Sequence, residues 1–338
     1  MQHCALSRNH RSLWTIAYIM TVTSLSAVLV GYVLCDAGLR QPMPFTCMFL
    51  SLFFLLLSTL LPGCEYLADK ISVFFVKQPA HAWIFPVLPL TLYLLTMVTQ
   101  DQFWGTHLLY FSVYILVPFL LVKLSARAAP AIQYASGIAA AASLWIPFDH
   151  RWYGSFWPGR FPFSYNFISL IVVLMIVFLF LLIRGQSDMG YRLIPRWQDF
   201  PLIFILTLAI AVLIIPAGVF SGFLRFRSTI RFNPDDLLIF AGIFLTIGLV
   251  EEIVFRGVVQ RYLEIIFKSH WPALFTASVL FGLTHWNNAA PGFAVHYIIF
   301  ASIAGIFYGI AYKKSGSLFP AIFLHALVDL IWLVLFVK

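Results

Sequence analysis

Apolar residues in this chain run for 17 to 29 positions at a time, broken by short polar or glycine- and proline-bearing segments. Such runs are long enough to cross a hydrocarbon layer as helices, which needs about 20 residues at ~1.5 Å each. The pattern predicts spans over 13–35, 44–62, 83–99, 107–124, 131–148, 163–184, 200–220, 237–265, 271–289, 294–312 and 319–337. The run 131–148 is alanine-rich, and 83–99 and 319–337 carry prolines near their starts. Backbone groups in lipid must be satisfied within the segment, so continuous apolar runs read as helices rather than open strands. The expected architecture is all-α: a polytopic integral membrane bundle of about ten or eleven transmembrane helices.

Composition agrees. Of 338 residues, 62% are hydrophobic, 17% aromatic and only 10% charged, with a mean hydropathy of +0.93. A soluble globular chain is excluded. The net charge of +8 belongs to membrane topology rather than to nucleic-acid binding, because Lys and Arg collect in cytoplasmic loops. With eleven spans and a cytoplasmic N-terminus, the inside segments hold fourteen of the 21 basic residues, from Arg8 and Arg11 to Lys313 and Lys314. Arg225, Arg227 and Arg231 fall on the other side, which marks either a displaced span or a bilayer-surface position. The first apolar run is too long, and lacks the small-residue cleavage site, for a removed signal peptide. Cys4, Cys35, Cys47 and Cys64 form no CxxC pair and read as small apolar side chains without a redox or metal role.

Two regions stand apart. Residues 1–185 form an N-terminal transmembrane region with almost no ionisable group inside an apolar run, residues 186–199 a polar, Gly- and Pro-bearing linker, and residues 200–338 the part that holds every intramembrane acid. In the N-terminal part, the loop Phe148–Pro158 (FDHRWYGSFWP) reads either as an interfacial aromatic belt or as a lid near the membrane surface, the belt being the commoner use of Trp and Tyr.

The chemistry lies in the last hundred residues. Ionisable groups in a spanning helix are costly and survive mainly where they face a protein interior or a wet cavity. Glu251 and Glu252 interrupt such a run, and Arg256 follows four residues after Glu252. That spacing puts Glu252 and Arg256 on one helix face, where they neutralise each other. Glu251 lies about 100° round the helix. A second motif places Phe281 and His285 four apart, and a third places His325 and Asp329 four apart. With a helix turn near residues 268–270, Glu251 and His285 stand at similar depths, roughly 24 and 21 Å from the turn. A carboxylate in an apolar pocket suits a general base, a neighbouring histidine can share its water, and a second histidine oriented by an acid can donate to an oxyanion. Taken singly, a Glu–Arg pair is more often a structural staple, a lone histidine such as His296 a packing residue, and a His-x-x-x-Asp pair an interhelical clamp. Together, in this order, they read as a site for water-mediated amide cleavage.

The three motifs, Glu251-Glu252-x-x-x-Arg256, Phe281-x-x-x-His285 and His325-x-x-x-Asp329, resemble those of the CAAX-protease and bacteriocin-processing (CPBP, or Abi) family of intramembrane endopeptidases, which includes the type II CAAX prenyl endopeptidases. The resemblance covers roughly 200–338. It implies that Glu251 activates the attacking water with His285 as partner, that Glu252 and Arg256 hold the helix and tune that glutamate, and that His325 and Asp329 stand at the oxyanion. The prenyl endopeptidases carry Asn where this chain has Asp329, and an ionised Asp cannot donate a hydrogen bond; orienting His325 is the role that remains for it. Zinc is the cofactor to weigh, since Glu251, His285, His325 and Asp329 are ligand types suited to it. No HExxH occurs, and a metal-independent glutamate mechanism is favoured. The expected partners are membrane lipids and a protein or peptide substrate, either prenylated or a sorting or leader peptide, in a prokaryotic cytoplasmic membrane.

Two other classes compete. A transporter or channel would use Glu251, Glu252 and Asp329 as an ion path, but the inverted repeat and paired broken helices of many transporters are missing. A non-catalytic immunity or scaffold protein would keep the fold without the reaction.

Overall fold

The computed structural model describes residues 8–38, 42–97, 105–159, 161–229, 233 and 235–337. Cys4 and Arg231, and the last two positions of the 83–99 run, lie outside them. Twelve helices are described: α1 (Arg8–Asp36), α2 (Pro42–Leu60), α3 (Glu65–Lys77), α4 (Val87–Met97), α5 (Gly105–Leu124), α6 (Pro130–Asp149), α7 (Ser164–Ile183), α8 (Asp199–Phe220), α9 (Asp236–Phe267), α10 (His270–Leu283), α11 (Ala294–Ser315) and α12 (Leu318–Leu335), with short 3₁₀ turns between some of them. Ten helical segments among the described residues are long and apolar enough to cross a membrane. The chain is therefore an all-α, multi-pass membrane protein. The expected span at 271–289 is the one that differs: α10 ends at Leu283 and passes into a 3₁₀ turn over Thr284–Asn288. The polar pair Asn287-Asn288, followed by Pro291-Gly292, stops the helix there.

The chain divides into two compact units, one of Met1–Ala126 and Ile146–Ser187, the other of Arg127–Trp145 and Asp188–Lys338. In the first, α7 is almost wholly buried, from Phe167 to Leu182, which its uninterrupted apolar sequence allows. The second half of the loop Phe148–Pro158 is anchored in this unit. Phe156 and Trp157 are buried, Tyr93 donates to the Phe156 carbonyl at 2.5 Å, and Trp157 Nε1 donates to Thr96 Oγ1 at 2.9 Å. Trp152 stays exposed. Cys35, Cys47 and Cys64 are free thiols.

In the second unit, the first part of α6 packs against α9 through Tyr134 on Tyr262 and Trp145 on Phe255, both with ring centroids 5.2 Å apart. The polar stretch before α8 is folded into this unit. Met189, Tyr191, Arg192 and Asp199 are buried; Arg192 pairs with Asp199 at 3.3 Å; Tyr312 donates to the Met189 carbonyl at 3.1 Å and the Leu318 amide to Gly190 at 2.8 Å. Gly190 adopts a positive φ of 70° with Gly316 and Tyr312 3.0 Å from where a Cβ would sit, so only glycine fits. Arg261 also pairs with Asp188. Two strands, β1 (Arg225–Phe226) and β2 (Phe336–Val337), pair antiparallel. They tie the α8–α9 connection to the end of α12, and Arg227 Nε donates to the Phe336 carbonyl at 3.0 Å. Arg225, in β1, and Arg227, just after it, are thus exposed and lie outside the helices.

Candidate active site

Helix α9 supplies the acids. It carries π-helical turns over Phe244–Gly248 and Ile253–Gln260, on either side of Leu249–Glu252. Such wide turns are rare and concentrate at functional sites. Glu252 and Arg256 are fully buried, with Arg256 Nε 3.1 Å from Glu252 Oε2. The pair is ionic rather than well aligned: neither of those two atoms makes a hydrogen bond of good geometry. Arg256 Nη2 donates to the Gly305 carbonyl at 2.9 Å, and the guanidinium sits 4.6 Å from the Phe281 ring centre and 5.5 Å from that of Tyr308. Gly305 permits this, since a Cβ there would lie 3.1 Å from both Arg256 Nη2 and the Phe281 ring.

Glu252 has a second partner. Its Oε1 accepts from His325 Nδ1 at 2.8 Å, so one buried carboxylate joins the first and third motifs. Ring Nε2 of His325 then faces two more acids, with Glu251 Oε2 at 3.7 Å and Asp329 Oδ2 at 3.6 Å. His325 is buried, Glu251 is 14% exposed and Asp329 32% exposed, a gradient that runs from the protein interior towards open space. Tyr308 stacks flat on the His325 ring at 4.7 Å and 13°, and Phe281 meets it edge-on at 5.7 Å.

His285 lies on the 3₁₀ turn after α10. Its Nδ1 donates to the Phe281 carbonyl at 3.0 Å, which leaves Nε2 as the acceptor in the neutral ring. His285, His325 and Asp329 line one cavity of about 90 Å³, together with Tyr297, Tyr308 and Trp332 and an apolar wall from α8 and Phe223. Glu251 thus has the His325 imidazole beside it, and His285 borders the cavity that His325 and Asp329 line. The cavity thus has two imidazoles and the Asp329 carboxylate on its wall, and mostly apolar side chains form the remainder.

Sequence reasoning did not find Tyr297, Tyr308 or Gly305. A signal was present: Tyr297, Ala301, Ala304 and Tyr308 recur at helical spacing on α11, and all four line the cavity. As for zinc, no three His, Cys, Asp or Glu side chains among the described residues are grouped so as to hold a metal ion.

Residues 233–331 match the family model described as type II CAAX prenyl endopeptidase, Rce1-like. The match spans all seven residues named in the three motifs and supports the CAAX-protease resemblance read from them. No curated protein sequence and no solved structure matches this chain.

Proposed function

We propose that the second unit is an intramembrane endopeptidase that hydrolyses a peptide bond of a membrane-associated or lipidated protein, with Glu251 as the base that activates water. A CAAX-type protease in general is what the family match implies; the mechanism and the substrate are our reading. The observation that carries it is the arrangement around His325. Glu252, compensated by Arg256, holds Nδ1, while Nε2 is turned towards Glu251 and Asp329 at the cavity.

Glu251 removes a proton from water as the water oxygen bonds to the scissile carbonyl carbon. The carbonyl π pair moves to oxygen. His325 in its imidazolium form donates from both nitrogens, to Glu252 on one side and towards the oxyanion on the other. When the tetrahedral intermediate collapses, the C–N bond breaks and the proton held by Glu251 passes to the leaving amine. His285, with Nδ1 engaged by a carbonyl, offers Nε2 to the same water. Asp329 orients His325. A structural staple alone would need Glu252 and Arg256 but neither Glu251 nor His285.

The apolar wall of the cavity suits a substrate with a hydrocarbon chain or an apolar peptide segment, which makes a prenylated C-terminal peptide the first candidate. The reading brings with it the setting of the wider Abi group, a prokaryotic cytoplasmic membrane. Peptide mass spectrometry on membranes of a deletion strain complemented with wild type or with Glu251→Ala tests it. Uncleaved precursor should accumulate equally in the deletion and the Glu251→Ala strains, and also with His285→Ala. Identical peptide profiles in wild type and Glu251→Ala would rule the reading out.

A further inference from the structure

We propose that the Tyr297 hydroxyl donates the hydrogen bond to the oxyanion that an amide at position 329 would otherwise give. The proposal rests on the protease reading above. Asp329 is a carboxylate beside His325; when ionised it accepts hydrogen bonds and repels an oxyanion. Arg256 is not placed to substitute for it: its guanidinium is fully buried, lies beside Glu252 and the Gly305 carbonyl, and is not among the side chains that line the cavity. An oxyanion formed beside Asp329 therefore needs a neutral donor in addition to the His325 imidazolium.

Tyr297 is placed to be that donor. It lines the cavity with His285, His325 and Asp329, on the same face of α11 as Tyr308, which stacks on His325. Three rings fix its own ring: His285 at 5.0 Å, Trp332 at 5.2 Å and Phe223 at 5.7 Å. Its ring lies against His285 and borders the same cavity as His325 and Asp329, the space that a substrate carbonyl would enter. Preorganised donors aimed at developing charge in a site closed to water are among the strongest contributions to catalysis. A phenol adds no charge to a membrane-embedded site. In the step, the water oxygen bonds to the carbonyl carbon, Glu251 takes the water proton and the π pair moves to oxygen. Tyr297 shares its proton with that oxygen without giving it up, and the bond to nitrogen breaks as the carbonyl re-forms and the amine takes the proton from Glu251.

The test uses the full-length chain in detergent with internally quenched peptides that carry a C-terminal cysteine, farnesylated or plain. Tyr297→Phe keeps the ring among its three neighbours and removes only the hydroxyl. We expect kcat to fall on the order of 10²-fold with KM changed less than about threefold, as for loss of one oxyanion donor, and the unfolding midpoint to stay at the wild-type value. Asp329→Asn, which supplies an amide donor, should raise the kcat of Tyr297→Phe by about tenfold or more, a rescue that a packing role for the tyrosine does not predict. Full activity in Tyr297→Phe, or no rescue by Asp329→Asn, overturns the proposal while loss of activity in Glu251→Gln leaves the protease reading standing. Cleavage unaffected by Glu251→Gln, or no cleavage of any peptide by the wild type, overturns both.

Discussion

Arg256→Met is the change that the packing of α9 answers most sharply. Methionine is flexible, unbranched and suits an apolar site, so the substitution removes the charged guanidinium while keeping an apolar stem in its place. What remains is Glu252, fully buried and deprived of the guanidinium 3.1 Å away. Removing one partner of a buried ion pair costs about 3–5 kcal/mol, chiefly because the other charge is left uncompensated. The lost contact with the Phe281 ring adds on the order of 0.5–2 kcal/mol, and the Gly305 carbonyl loses its donor. The sum is roughly 4 kcal/mol or more of unfolding free energy, read by equilibrium titration with SDS and followed by tryptophan fluorescence. A second result is expected. Glu252→Gln in the Arg256→Met background removes the stranded charge, so the double variant should be more stable than Arg256→Met alone by about 1–3 kcal/mol, the usual range of coupling between contacting residues. A cost below about 1 kcal/mol for Arg256→Met would refute the reasoning. So would a double variant whose cost equals the sum of the single ones.

Three further outcomes follow from the same contacts. Gly305→Ala sets a methyl group 3.1 Å from Arg256 Nη2 and the Phe281 ring; it should cost about 1–3 kcal/mol by overpacking and lower activity through Arg256, both visible in SDS unfolding and peptide cleavage. Ser317 caps α12 by accepting from the Phe319 amide at 3.2 Å and also donates to the Arg192 carbonyl at 3.1 Å, so Ser317→Ala should cost about 0.5–2 kcal/mol while the cleavage rate at saturating substrate is unchanged. Phe281→Ala empties the ring that touches Arg256, His285 and His325; it should destabilise by about 3–5 kcal/mol, and a loss under 1 kcal/mol would show that this ring is not a wall of the site.

Much of this was legible in the order of residues. Apolar run length gave the helices, because lipid leaves a backbone no other economical way to satisfy its polar groups. The pairing of Glu252 with Arg256 followed from their spacing, since side chains four apart share a helix face, and the turn between α9 and α10 at Lys268 and Ser269 lies where the depth argument needed it. What the order of residues could not show is which helices meet. Glu252 holding His325 is a contact across 73 positions, and nothing in either local pattern announces it. The π-helical turns of α9 were hidden as well, because the apolar sequence around Glu251 is compatible with ordinary helical winding. The 3₁₀ turn that carries His285 was visible only as the polar residues Asn287 and Asn288 at the end of an apolar run. The stretch before α8 looked like a linker by its charge, yet Met189 and Tyr191 are anchors, and Arg192 is buried because Asp199 is there to pair with it. Tyr297 and Tyr308 were passed over because a tyrosine among apolar residues in a span is common, and only the cavity gives the pair a meaning.

The central claim is that Glu251, and not its buried neighbour Glu252, is the base. Single-turnover cleavage of a farnesylated, internally quenched peptide by purified wild type and Glu251→Gln tests it most directly, because the substitution keeps shape and removes only the ability to take a proton from water. The account predicts a fall in rate of about 10²–10⁴-fold, the usual contribution of a positioned base, with peptide affinity and unfolding midpoint at wild-type values. A Glu251→Gln protein that cleaves at the wild-type rate contradicts it.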